Sequence, residues 1–132
     1  MRYILMMHQP RGTGEYQSSD WSPEDLRAHY DYWNVLNRGL SEAGELVAVE
    51  ALAPPGQAKL VRAGKGGAPP VTDGPFAEAK EFLAGYWIVE VDKADRAFEI
   101  AAQASAAPGP GGTPLLIPIE VRQVMRSPAA GL

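Results

Sequence analysis

Three strand-length segments of this chain, residues 2–7, 45–52 and 85–91, carry apolar side chains on both faces, so a sheet built from them has no side suited to water. In the first, Tyr3, Leu5 and Met7 point one way and Ile4 and Met6 the other; in the third, Tyr86 and Ile88 oppose Trp87, Val89 and Val91. The second offers Leu46, Val47 and Val49 to its two faces. The first segment stops at Pro10 and Gly12 and the second at Pro54-Pro55-Gly56, lengths that suit strands and are too short for helices.

Two helical patterns lie between these strands. Ser22, Pro23 and the acids Glu24 and Asp25 read as an N-cap, a first helical residue and an acidic first turn. Leu26, Tyr30, Trp33, Leu36 or Asn37, Leu40 and Ala43 follow at three- and four-residue steps, with Gly44 as the stop. The second helix is expected to be capped by Asp92, with Asp95 at its third position and Ala94, Ala97, Phe98, Ala101 and Ala104 as its apolar stripe. Residues 57–62 and 70–72 are expected to pair as a small hairpin across the glycine-containing turn 63–67. A proline- and glycine-rich loop over 106–114 then leads into a last strand at 115–125.

The resulting order is βαββαβ with an inserted hairpin, an α+β chain whose antiparallel, ferredoxin-like sheet carries both helices on one face. Residues 1–126 read as one domain and 127–132 as a flexible tail. Two helices shelter one face only, and the apolar surface left on the other exceeds what monomers usually expose. A homodimer paired sheet to sheet about a two-fold axis, forming a dimeric α/β barrel, is therefore expected.

Composition narrows the chemistry. The chain has no cysteine, which removes disulfides, thiolate metal sites and a cysteine nucleophile. A formal charge of -4 gives no basic stripe for tracking phosphates, so no direct contact with nucleic acid is expected. The first eight residues hold one basic residue and a short apolar run, too little for a signal peptide or membrane span, and a cytoplasmic location is expected. There is no phosphate-binding loop or dinucleotide fingerprint, and no cofactor or metal is expected.

Several blocks together point to a family. They are Met1-Arg2-Tyr3-Ile4-Leu5-Met6, the Ser22-Pro23-Glu24 helix start and Ala43-Gly44-Glu45-Leu46. They continue with Val71-Thr72-Asp73-Gly74-Pro75-Phe76 followed by Glu78 and Lys80-Glu81, and with Ile119-Glu120-Val121-Arg122-Gln123-Val124-Met125. The chain resembles the YCII-related proteins, in the subgroup named for its Asp-Gly-Pro-Phe motif. That resemblance implies a dimeric α/β-barrel fold. It also implies a cytoplasmic protein, in some members associated with extracytoplasmic-function sigma factors. Shorter members carry a helix histidine and an aspartate proposed as an acid–base pair; the corresponding helix position here falls near Trp33, with His29 one turn earlier.

The residues themselves offer few groups for chemistry. His8, at the end of the first strand with the parity of Ile4 and Met6, and His29, one turn before Trp33, are the side chains that titrate near neutrality. Asp73, in a turn of restricted geometry, is the carboxylate suited to orient one of them. Each has a plainer role: a strand-end histidine bonded to a loop, a packing histidine beside an indole, and an aspartate satisfying its own turn. Trp33, Phe76, Glu78 and Lys80 are candidate ligand contacts, the charged members reading equally as a solvated loop. Trp21, Tyr30, Tyr32 and Trp33 form an aromatic group able to line an apolar cavity. These features lead to a small-molecule-binding homodimer, with cofactor-independent acid–base chemistry at His8 or His29 and Asp73 if it is an enzyme. A regulatory module acting with a sigma factor is the alternative.

Overall fold

The computed structural model describes residues 1–10, 20–75 and 80–125. In chain order its elements are β1 (Arg2–Pro10), α1 (Pro23–Glu42), β2 (Leu46–Ala51), β3 (Lys59–Val61), β4 (Val71–Asp73), β5 (Glu81–Glu90), α2 (Ala94–Ser105) and β6 (Ile119–Gln123). Strands β2, β5, β1 and β6 form one antiparallel sheet in that order, and β3 pairs with β4 in a separate hairpin. This is the expected ferredoxin-like arrangement with its insertion between β2 and β5.

Alternation along the strands sorts the side chains. Tyr3, Leu5 and Met7 of β1 and Trp87, Val89 and Val91 of and after β5 are buried with Leu40 of α1 and Ala97, Ile100, Ala101 and Ala104 of α2. Both helices therefore lie on this one face. Full burial of a side chain such as Leu5 or Ile100 contributes roughly 1.5–3 kcal/mol, which makes this layer the main source of stability. Ile4, Met6, Tyr86 and Ile88 project from the opposite face and are only half-buried.

The helix starts and stops follow local chemistry. Ser22 caps α1, its hydroxyl accepting from the Asp25 amide at 3.1 Å, and Pro23 occupies the first turn. After Ala43, Gly44 takes a φ of 73° and ends the helix. The inward stripe of α1 runs through His29, Trp33, Leu36 and Leu40, and Tyr30 is instead 53% exposed. In α2 the first turn differs from the expectation: Lys93, not Asp92, stands at the N-cap, and no side chain caps it. A forked ion pair anchors this end instead, Arg96 donating Nε and Nη2 to the two carboxylate oxygens of Glu45 at 2.8 and 2.9 Å. Ile100 fills the stripe position expected of Phe98, which is 53% exposed.

Two strand boundaries also differ. β5 begins at Glu81, earlier than the apolar run suggests, because β1 pairs with it as far as Pro10. β6 begins only at Ile119, since Leu116 leaves the extended region with a φ of 56° and Pro118 has no amide to offer a ladder.

The ladder between β1 and β5 breaks its register at one point. Met7 pairs with Gly85 but His8 pairs with Leu83, so Ala84 is an extra residue, a β-bulge. Beyond it Phe82 lies opposite Gln9 and shares the helix-side face with Met7. At Gly85 the neighbouring β2 backbone comes so near that a Cβ would stand 2.9 Å from the Glu50 carbonyl oxygen. Gly85→Ala is therefore expected to destabilise the fold by about 1–3 kcal/mol, an overpacking cost. It should appear as a lower urea midpoint at unchanged slope.

Candidate functional site

The N-terminal part of α1, the bulged part of β5, the chain from Ala51 to Pro55 and the loop after α2 border a partly open cavity of about 500 Å³ on the helix side of the sheet. His29, Trp33, Trp21 and Tyr30 form the helical wall, Met7 and Phe82 the sheet wall, and Leu115 and Ile117 the loop wall. This volume falls in the usual range for small-molecule sites, and the lining is mostly apolar, as such sites are.

His29 is the polar centre of that wall. It is 6% exposed, and its ring meets Trp33 edge-on with centroids 4.1 Å apart, with Trp21 and Tyr30 packed similarly at 5.1 and 5.4 Å. Its Nδ1 lies 2.9 Å from the carbonyl oxygen of Pro108. A carbonyl only accepts, so Nδ1 carries the proton and the neutral ring keeps its lone pair on Nε2. Burial is the main influence on its titration and holds the pKa below the ordinary 6.5; the bond to Pro108 opposes this to a smaller extent.

Trp33 has a second task, its indole Nε1 donating to the Ala104 carbonyl at 3.3 Å while its ring meets Trp87 at 5.9 Å. Tyr32 faces away from the cavity and donates its hydroxyl to Gln103 O at 2.7 Å. Of the aromatic group expected to line a cavity, three members do so and Tyr32 serves the helix pair.

The other sequence candidates lie elsewhere. His8 projects from the opposite face of the sheet, where its Nε2 is 3.0 Å from Glu120 Oε1 of β6. Asp73 ends β4 with its side chain 89% exposed and bonded to Lys59 Nζ at 2.6 Å. Within one chain His8, His29 and Asp73 therefore do not converge; each has a separate partner. Lys80 is exposed just before β5, and Phe76 and Glu78 lie outside the described residues. Among the described residues no group of three or more His, Cys, Asp or Glu could hold a metal ion, and no helix is long and apolar enough to cross a membrane.

Sequence reasoning missed Phe82, Leu115 and Glu120. The bulge conceals the first, because strict alternation back from Trp87 places residue 82 on the wrong face. Glu120 was legible in principle: it pairs opposite Met6, two residues from His8 on the same face, once β1 is known to lie beside β6.

A ferredoxin-like α+β domain with an aromatic cleft between its first helix and its sheet is the class that this geometry defines. The family model described as YCII-related domain matches residues 1–111. An uncharacterised protein of Rhizobium meliloti (strain 1021) is 34% identical over 93 residues, 70% of this chain and 74% of that protein. The chain belongs to the YCII-related family. The matched span contains His8, His29 and Asp73 but ends before Glu120.

A pH dependence follows from His29. The unfolded ring takes up its proton around pH 6.5 and the folded ring only at lower pH. Its contribution to stability is thus complete above pH 6.5 and is lost as pH falls through the lower folded value. Urea unfolding between pH 7 and pH 5 is expected to show this decline in the native chain and a shallower one in His29→Gln. Equal slopes in both would contradict the assignment.

Proposed function

We propose that this protein is a homodimeric small-molecule-binding member of its family, each chain taking one small apolar ligand in the cleft between α1 and the sheet. The observation that carries the reading is a single neutral imidazole set in an aromatic wall around about 500 Å³ of space. Isolated packing histidines are common, but this one lines a cavity large enough for a ligand. If the protein turns its ligand over, the chemistry is proton transfer without a cofactor, with Nε2 of His29 as the acceptor. Saturable quenching of tryptophan fluorescence by naphthalene is expected for the native chain, since Trp21 and Trp33 stand in the wall. Phe82→Arg, which places a charge in that wall, should weaken binding at least about tenfold. Unsaturable quenching by the native chain would remove the reading.

The dimer rests on the other face. Ile4, Met6, Leu83, Tyr86 and Ile88 form a patch there that neither helix covers, because both lie across the sheet. A second copy meeting it sheet to sheet would bury these side chains against their own equivalents. Sedimentation is expected to give twice the chain mass of 14.2 kDa at micromolar concentration, and Ile88→Glu to give the single mass. A native chain that sediments singly would refute the pairing.

A further inference from the structure

The hydrogen-bonding capacity of His29 is divided unequally. Pro108 O occupies Nδ1–H at 2.9 Å and fixes the tautomer and the flip of the ring, while the edge-on contacts of Trp21, Tyr30 and Trp33 hold its plane. Among the described residues none bonds the remaining lone pair, at Nε2, on a ring that lines the cavity. Among the described residues no buried side-chain polar atom lacks a partner, so a ligand donor at Nε2 takes the place of a water bond there, in surroundings drier than bulk solvent.

The rest of the wall limits what else the ligand carries. None of the described lining residues bears a formal charge at neutral pH; Gln9, Tyr30 and the Trp21 indole are the other polar members. A carboxylate or phosphate entering here would lose hydration with no opposite charge among those residues to replace it. The indoles of Trp21 and Trp33 and the ring of Phe82 favour a flat, apolar body that can meet them face or edge.

We infer that the ligand of this cleft is a neutral, planar molecule that donates one hydrogen bond from a phenolic or enolic hydroxyl to Nε2 of His29. This inference rests on the binding role proposed for the cleft and specifies its ligand class. His29 acts as a recognition residue through its acceptor nitrogen, and a hydroxyl held there is positioned to surrender its proton.

Calorimetric titration of the full chain with 2-naphthol, 2-methoxynaphthalene and 2-naphthoate at pH 7.5 tests it. The ether keeps the ring system and adds apolar surface but has no donor; the carboxylate adds charge. Binding of 2-naphthol is expected to be about tenfold tighter than that of the ether, the usual scale of one such bond, and tighter again than that of the carboxylate. In parallel, the ¹⁵N resonance of His29 Nε2, identified by its absence in His29→Gln, should move with 2-naphthol and stay with the ether. Equal binding of naphthol and ether with an unmoved resonance would overturn the donor requirement and leave the cleft as a general apolar site. Tighter binding of 2-naphthoate would overturn the neutral class. Failure of 2-naphthol to bind would overturn the inference and, if naphthalene also failed, the cleft reading with it.

Discussion

Three ring donors on α1 are spent on three carbonyls at the end of α2 and just beyond it. Tyr32 bonds Gln103, Trp33 bonds Ala104 and His29 bonds Pro108. The last carbonyls of any helix lack partners within it, and α2 ends at Ser105 without a glycine to fold the chain back over them. Each bond is worth only about 1 kcal/mol net, and Gln103 O also accepts from the Ala106 amide at 3.2 Å. The packing of one helix against the other is thus tied to the loop after α2. The cavity depends on this arrangement, because the same loop carries Leu115 and Ile117 into its wall. The bond that orients the His29 ring is also one that closes the helix pair.

The opposite end of α2 is held by charge. Arg96 grips both carboxylate oxygens of Glu45 at the foot of β2, and the pairing holds that carboxyl below its usual range. With one end fixed by an ion pair and the other by aromatic donors, α2 lies across the sheet with mostly small residues beneath it. Ala97, Ala101 and Ala104 allow close approach, and Ile100 supplies the bulk. The sheet separates two kinds of surface: a closed layer and cleft on the helix side, and a broader patch on the other. His8 and Glu120 stand beside that patch.

Much of this architecture was legible in the chain because it rests on local rules. Ser22-Pro23 and Gly44 bracket α1, two-sided apolar strands imply a sheet with helices on one face, and the glycines near residue 65 allow the hairpin. What escaped depends on distant partners. Lys93 replaces Asp92 at the cap of α2 while Arg96 finds Glu45, 51 residues away. Phe98 yields the stripe to Ile100 because the sheet, not the helix period, decides which flank is covered. Of the site, the aromatic group and His29 could be named from spacing alone. The bond from His29 to Pro108 could not, since nothing in an irregular loop announces which carbonyl turns inward.

The single extra residue at Ala84 reverses the phase of β5 partway along its length. Above it, odd-numbered residues such as Trp87 and Val89 face the helices; below it Phe82, an even-numbered residue, does so. A relative shorter by that one position could keep a continuous ladder with β1 and still turn a different side chain toward α1. Sequence comparisons across the family that slide a gap through this strand would then match a cavity-lining residue in one protein with an outward-facing residue in another.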